Sequence, residues 1–228
     1  GSSLEPTRIT ANMRDVKDYS LVIQLKKLAR FKRFGLGDNA PPITVKCKDY
    51  PGEFFSDLSN QANRKPQLKD YLNDCKQSKG ILLLVDGMAS WKDSEYADQL
   101  KTFLQLISDD KASSQRRIAF TITKCEQSEL WVNIHKPVFL ASRRFPQTYQ
   151  VLSDWQDREP GKFDCFSTSA FGMLGDLSAP EPNATMKQQG REGVACVIKE
   201  PNKWKPYGLV APIYWLCTGK HRKDLLES

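Results

Sequence analysis

The chain has 228 residues, of which 39% are hydrophobic, and its formal net charge is +7. This length and apolar content suit one large domain spanning residues 1–228, and no apolar run approaches the roughly 20 residues of a membrane-spanning helix. The sequence does not begin with a basic segment followed by an apolar one, so we expect no secretion signal and a cytoplasmic location.

Six cysteines are spread singly along the chain, with no Cys-x-x-Cys pair, and there are only two histidines. This spacing gives little support to a zinc site, and we expect buried, reduced thiols. The basic residues form short clusters without interleaved aromatic residues, which favours solvated helix faces over a nucleic-acid surface. The five tryptophans are more typical of core or interface anchors than of a cofactor site.

The first 80 residues predict helices around one strand. Residues 15–34 carry apolar side chains at a spacing close to 3.6, which favours an amphipathic helix, although Val22 and Ile23 leave a strand open. A loop rich in Gly and Pro over 35–42 leads to a strand from Ile43, which ends in Asp-Tyr-Pro-Gly. Residues 54–79 predict one or two helices that break near Pro66.

Strands and helices alternate in the next 90 residues. Residues 81–85 form a continuous apolar run, as expected of a central parallel strand covered on both faces. A helix over 95–107 follows, which Asp93 or Ser94 could cap. Further strands are predicted at 117–123 and 163–169, and helices over 128–156 with interruptions at Pro137 and Pro146.

The last part of the chain predicts an insertion and a closing helix. Residues 178–206 are rich in Pro, Gly, Asn, Gln and Lys, so we expect an inserted loop with little regular structure. Residues 208–217 predict an apolar helix that docks on the sheet. Strands separated by helices predict an α/β fold with a mainly parallel sheet, and ligand chemistry where the strands end.

Three short motifs follow predicted strands: Asp49-Tyr-Pro-Gly52, Thr123-Lys-Cys-Glu126 and Ser169-Ala170. In order and position they resemble the DxxG, [NT]KxD and SA elements of Ras-like GTPases. With Glu53 next, the first motif is similar to the DxPGE run of the bacterial double-GTPase type in the translation-factor class. The resemblance covers roughly residues 43–217 and implies a three-layer, P-loop GTPase-like α/β fold with a mainly parallel sheet.

The resemblance implies a site for GTP or GDP with Mg²⁺. At its phosphate end, Asp49 would hold the metal through water, and the amide of Gly52 would face the γ-phosphate. Glu53 occupies the position of the water-orienting glutamine and is the candidate catalytic residue. A purely structural interpretation without a ligand also stays open, because Asp-Tyr-Pro-Gly is an ordinary turn sequence and Glu53 suits a first helical turn.

At the base end, the resemblance assigns guanine recognition to Thr123, Lys124 and Glu126. The carboxylate would accept hydrogen bonds from the base amines, and the lysine stem would lie along the purine. Ser169 and Ala170 would offer a backbone amide to guanine O6. A polar cluster that starts a helix, followed by small residues after a strand, explains the same sequence without a ligand.

The sequence departs from the family at three places. It contains no GxxxxGK[ST] phosphate loop, Glu126 stands where Asp is usual, and the Glu53 carboxylate would be repelled by a γ-phosphate. Either the sequence is an excerpt that starts just after the loop, in which case the helix at 15–34 matches the family's first helix, or the domain no longer binds triphosphate. The departures favour weak or absent GTP hydrolysis.

Three functional hypotheses follow. The first is a guanine-nucleotide-linked switch in a bacterial signalling or defence system of several domains. The second is a degenerate pseudo-GTPase that binds proteins and not nucleotide. In both we expect a protein partner or further domains of a larger chain, with a homodimer across the nucleotide faces left open. The third, an unrelated α/β enzyme with a cysteine nucleophile, has weak support because neither His135 nor His221 follows a strand-end cysteine.

Overall fold

The computed structural model describes residues 17–24, 42–50, 52–58, 66–108, 116–175, 179–190 and 193–226. The strands are β1 (Lys17–Ile23), β2 (Ile43–Asp49), β3 (Gly80–Asp86), β4 (Arg117–Thr123), β5 (Lys162–Ser167), β6 (Met173–Leu174), β7 (Glu181–Pro182), β8 (Ala184–Gly190) and β9 (Gly193–Ile198). The helices are α1 (Gly52–Asp57), α2 (Pro66–Gln77), α3 (Asp93–Ile107), α4 (Ser128–Trp131), α5 (Pro137–Arg144), α6 (Pro146–Arg158) and α7 (Ala211–Thr218).

A parallel sheet of three strands, in the order β3-β4-β5, lies at the centre of this α/β arrangement. Gly80 pairs with Arg117 and Arg117 with Lys162, so the three strands start together. Helices connect them, as parallel pairing requires. The predicted strands of this sheet are confirmed, and separate helices begin at Pro66, Pro137 and Pro146.

Apolar side chains leave β4 on both faces and enter two separate clusters. Ile118, Phe120 and Ile122 pack with residues of α2, α3 and α6. Ala119 joins Phe166 of β5 and the residues of α7 on the other face. Full burial of one large apolar side chain stabilises the folded chain by about 1.5–3 kcal/mol. Because both faces of the sheet carry such side chains, helices pack on both faces.

The surroundings of β3 differ from the prediction. In the part of the chain that the structure describes, this strand pairs with β4 alone and forms an edge of the sheet. Leu82 and Leu84 are 38% and 59% exposed, although a central strand covered on both faces was expected. Helix α7 covers this face only near the start of the strand, where Leu216 contacts Gly80.

The predicted helix over 15–34 is wrong where the structure describes it. Residues 17–23 form β1, which pairs antiparallel with β2 from Lys17↔Asp49 to Ile23↔Ile43. β2 therefore belongs to a separate two-stranded sheet and not to the parallel one. The β-branched pair Val22 and Ile23 favours this strand, and pairing with β2 outweighs the helical spacing. Residues 25–34 lie outside the described residues.

The expected loop over 178–206 contains regular structure. β8 and β9 pair antiparallel, and β7 pairs with β6. The buried Asn183 anchors this unit, since its Oδ1 accepts from the N–H of Glu200 at 2.9 Å and its Nδ2 donates to the carbonyl of Glu200 at 3.1 Å. The prediction of a loop followed the overall Gly, Gln and Lys content and overlooked a short run of high β-propensity, Val-Ala-Cys-Val-Ile, that ends at 198.

The expectation that basic clusters lie on solvated helix faces is wrong for the pair Arg116 and Arg117, which is structural. Arg116 is 1% exposed and donates to the carbonyls of Ile107 at 3.0 Å and Lys76 at 2.7 Å. Arg117 donates to the carbonyl of Leu216 at 2.9 Å. These bonds satisfy carbonyls at the ends of α3, α2 and α7, which no residue of those helices can pair.

The expected cap of α3 is also wrong. Lys92 is the N-cap residue and makes no side-chain capping bond. Asp93 instead accepts the N–H groups of Gln147 and Thr148, at 2.9 and 3.0 Å, and so caps α6 from the neighbouring helix.

Among the described residues no helix combines the length and the apolar character that crossing a membrane takes.

Candidate functional site

The ends of the three parallel strands bring the base-end candidates together. Asp86 is in register with Thr123, and Ile122 with Ser167, so the loops that follow lie at one edge of the sheet. We call Asp86, residues 123–126 and residues 168–170 the strand-end cluster. Carboxyl ends of parallel strands are where open α/β sheets commonly bind ligands.

Backbone hydrogen bonds fix the loops of the strand-end cluster to one another. The N–H of Cys125 donates to the carbonyl of Thr168 at 3.0 Å, and the N–H of Thr168 donates to the carbonyl of Ile122 at 2.8 Å. Thr123 donates its hydroxyl to the carbonyl of Val85 at 2.9 Å. The loop after β4 is therefore held from β3 on one side and from β5 on the other.

Lys124 has a strained backbone and an ion pair. Its φ of 59° makes it the one non-glycine residue with positive φ in the ranges that the structure describes. Nζ lies 2.6 Å from Oδ2 of Asp86, and the two side chains are 58% and 34% exposed. Left-handed backbone at a non-glycine residue costs about 1–2 kcal/mol and is concentrated at functional sites.

Glu126 is buried, with 4% of its surface exposed. Its Oε2 atom is inaccessible to solvent and makes no hydrogen bond within the described residues. Leaving a buried acceptor unpaired costs about 1–3 kcal/mol, and more when the group is charged. The carboxylate thus has unused capacity to accept a hydrogen bond.

Ser169 and Ala170 follow β5 and differ in their surroundings. Ser169 is fully buried, exchanges two backbone hydrogen bonds with Tyr207, and accepts the N–H of Gly172 on its hydroxyl at 2.9 Å. Its own N–H is therefore already used. Ala170 is exposed, and its carbonyl accepts Nε1 of Trp204 at 2.8 Å. Of the two residues, Ala170 is the better placed to offer its N–H to a ligand.

The phosphate-end candidates are not brought to the strand-end cluster. Asp49 is exposed at the end of β2, Gly52 begins α1, and the side chain of Glu53 lies outside the described residues. The neighbours of Asp49 in sequence, Lys48 and Tyr50, both bind Asp74, at 2.6 Å in the case of Lys48.

Asp74 lies in the last turn of α2, three residues after Tyr71 and close to the start of β3. Each strand of the parallel sheet has six or seven residues, a length of roughly 20 Å. The contacts at Asp74 therefore place the end of β2 near the amino ends of the parallel strands, whereas Lys124 and Glu126 lie at their carboxyl ends. One compact nucleotide site does not form from both halves in this arrangement.

Charges around Asp74 are coupled. The hydrogen bond from Lys48, and then that from Tyr50, holds the pKa of the Asp74 carboxyl below its ordinary value. The same carboxylate raises the pKa of Lys48. Burial, and then the bond to Asp74, raises the pKa of Tyr50. This cluster fastens β2 to α2 and explains the position of Asp49.

No cysteine has the surroundings of a nucleophile in the strand-end cluster. Burial raises the pKa of Cys125 to about 12, and its Sγ donates to the carbonyl of Ile122 at 3.3 Å. Burial likewise raises the pKa of Cys165 to about 12. All six cysteines are free, as expected, but only Cys125 and Cys165 are buried, whereas Cys75 and Cys196 are partly buried and Cys47 and Cys217 are exposed. A thiol that stays neutral near pH 7 is a poor nucleophile, which weakens the third hypothesis.

The sequence does not indicate which residues bind the loops of the strand-end cluster. Asp86 was visible as a polar residue ending an apolar strand, but its pairing with Lys124 was not. Tyr207 and Trp204 bind residues more than thirty positions away and leave no local signal. Among the described residues, no group of three or more His, Cys, Asp or Glu side chains is placed to hold a metal ion.

No family model, curated protein or solved structure matches this chain.

Proposed function

We propose that this chain is a GTPase-like domain that acts as a guanine-nucleotide-linked switch, with the strand-end cluster as the base-binding half of its site. In this proposal the helices on both faces of the sheet make a three-layer fold of the P-loop GTPase type. The ligand is GTP or GDP with Mg²⁺. The partner is a protein or another domain of a bacterial signalling or defence system.

The observation that carries this proposal is the unpaired, buried Oε2 atom of Glu126. Guanine carries N1–H and an N2 amine on one edge, and a carboxylate accepts from both at once. Such a ligand would supply the missing donors at the end of β4. Because Glu126 is 4% exposed, binding includes an opening of the loop at 124–127 that turns the carboxylate toward the base.

The phosphate end of the proposed site supplies the conformational change. Asp49 approaches a bound triphosphate only if the β1–β2 unit leaves Asp74. A nucleotide that binds both halves would favour the arrangement in which they are close, and this population shift is the switch. Glu53 repels a γ-phosphate, so we expect hydrolysis to be slow or absent.

A second candidate is a pseudo-GTPase that binds proteins and no nucleotide. Two observations favour it. Lys124 is already engaged with Asp86, and the contacts at Asp74 hold Asp49 away from the strand-end cluster. The sequence also contains no GxxxxGK[ST] motif, so the β-phosphate lacks its usual nest of backbone amides.

The two candidates separate in a titration of ¹⁵N-labelled protein with guanosine, GMP, GDP and GTP, each with and without Mg²⁺. The switch proposal predicts amide shifts at 124–126 and 169–170 for every guanine compound, and none for the adenine series. An affinity that increases from GMP to GTP only when Mg²⁺ is present would indicate that the phosphate end of the site binds the nucleotide. No guanine-selective shift up to about 10 mM, an affinity weaker than about −3 kcal/mol, would leave the protein-binding candidate.

The variant Glu126→Gln tests the role of the carboxylate directly. It replaces an acceptor oxygen by an NH₂ group that faces the donors of the base, so guanine binding should fall by about tenfold or more. Glu159→Gln, in the turn after α6, is the matched control and should bind as the unmodified chain does.

A further inference from the structure

A pocket lies between the start of α3 and the start of α6, and one of its residues, Arg144, reaches the loop after β3. Its volume is about 370 Å³, and its walls include Trp91, Ser94, Arg143, Arg144 and Gln147. We call these five residues the Trp91 pocket.

Trp91 is the most exposed large hydrophobic side chain in the described part of the chain. It lies in the 3₁₀ turn Ser90–Lys92 and is 78% exposed. Val138 and Phe139 of α5, the helix that carries Arg143, are 49% and 45% exposed. Exposed aromatic side chains beside a concave surface are typical anchors of protein interfaces, where tryptophan and arginine contribute most of the binding energy.

Arg143 supplies an uncommitted positive charge. Its guanidinium lies over the ring of Phe139 with 5.7 Å from Cζ to the ring centroid, which steadies the side chain on the surface of α5. Among the described residues it makes no ion pair. Arg144 donates to the carbonyl of Gly87 at 3.1 Å and pairs with Glu129 at 3.2 Å, so its charge is partly used.

Asp93, an acidic residue that lies beside these five, does not cancel the charge of Arg143 toward a ligand. Asp93 is 6% exposed, and its carboxylate accepts the N–H groups of Gln147 and Thr148 and the hydroxyl of Thr148. These bonds turn the carboxylate to the start of α6. The accessible wall therefore presents a guanidinium and an indole.

We propose that the Trp91 pocket docks an acidic peptide segment of a partner protein. A carboxylate of the segment binds Arg143, and a neighbouring aromatic or aliphatic side chain packs on Trp91. Arg143 favours a partner with acidic residues because the charges are complementary, and the exposed apolar side chains of α5 favour a peptide because its apolar side chains can pack on them. One uncommitted arginine is too little for a nucleic acid, whose binding depends on neutralising many phosphates. The proposal does not depend on nucleotide binding.

Fluorescence anisotropy with a labelled peptide tests it. The probe has about twelve residues, alternating Asp and Glu around one central Phe, and is compared with its Asn and Gln isostere and with a central Ser version. We expect saturable binding of the first peptide that weakens with salt, and binding about tenfold weaker for either comparison peptide.

The variants Trp91→Ala and Arg143→Gln should each weaken binding of the acidic Phe peptide by about tenfold. Both side chains are exposed, so the fold is retained, and circular dichroism verifies this. Arg158→Gln, an exposed arginine of α6 outside the pocket, should bind normally. The proposal is overturned if both pocket variants bind as before, if the isostere binds equally, or if tripolyphosphate or oligo-dT displaces the peptide and binds with the same variant dependence.

Discussion

The Nζ atom of Lys124 lies 2.6 Å from Oδ2 of Asp86, and this ion pair joins the loop after β4 to the end of β3. Both side chains are partly exposed, so the pair contributes at most about 1 kcal/mol. The left-handed backbone of Lys124 costs about 1–2 kcal/mol. The pair therefore does not account for the strained loop, which is held by the backbone bonds between Cys125, Thr168 and Ile122.

Replacing Lys124 by glycine should relieve this strain. We expect Lys124→Gly to be more stable than Lys124→Ala by about 1 kcal/mol, because both variants lose the ion pair but only glycine adopts φ 59° without a penalty. Urea unfolding of the two variants measures the difference. An alanine variant as stable as the glycine variant would show that the loop does not hold a left-handed residue in solution.

Asp93 should be among the acidic residues that contribute most to stability. Its buried carboxylate accepts three hydrogen bonds at the start of α6, so Asp93→Ala should reduce the free energy of unfolding by about 2–3 kcal/mol. Asp98→Ala, an exposed residue of the same helix, should change it by less than about 0.5 kcal/mol. Thermal and urea unfolding compare the two. A small effect at Asp93 would contradict the capping of α6 by α3.

The Asp74 cluster should make stability depend on pH. The pKa of Asp74 is lowered in the folded chain, so its contribution is present above its unfolded pKa of about 3.9 and is lost as pH falls through the folded value. The pKa values of Lys48 and Tyr50 are raised, so their contribution is present below about pH 10 and is lost above it.

The urea midpoints of the unmodified chain and Asp74→Asn should therefore differ between about pH 5 and pH 9, and converge as pH falls below about 4. Asp70→Asn, an exposed residue of the same helix, is the control. A constant difference down to the lowest pH would show that Asp74 acts without its charge.

The cysteines should divide by accessibility in a brief treatment with iodoacetamide near neutral pH. Cys47 is exposed and should be modified first, whereas Cys125 and Cys165 should react only after unfolding, because burial raises the pKa of each to about 12. Mass spectrometry of tryptic peptides identifies the modified thiols. Rapid modification of Cys125 in the folded chain would contradict the closed loop after β4 and would revive a nucleophilic role.

Local patterns in the sequence predict the parallel sheet well. The continuous apolar run of β3 and the apolar residues of β4 and β5 indicate strands, and the prolines that begin α2, α5 and α6 mark the starts of helices. β1 has apolar residues at spacings compatible with helix or strand, and pairing with β2 decides between them. That pairing is a long-range property that a window of sequence does not contain.

The candidate site is predictable only in part, for a related reason. The motif order predicts that Thr123 ends a strand, that Lys124 and Glu126 follow it, and that Ser169 and Ala170 follow the neighbouring strand. The burial of Glu126 and the use of the Ser169 N–H by Tyr207 depend on residues that are distant in sequence. The position of Asp49 likewise depends on Asp74, whose partners 24 and 26 residues away no motif indicates.

Comparing guanosine with inosine tests the central claim most directly. Inosine lacks the N2 amine, so it offers the Glu126 carboxylate one donor where guanosine offers two. The account predicts that the chain binds inosine about tenfold more weakly than guanosine, and that Glu126→Gln removes this preference. Equal affinities for the two nucleosides, or a preference that survives in Glu126→Gln, would contradict guanine recognition at the strand-end cluster.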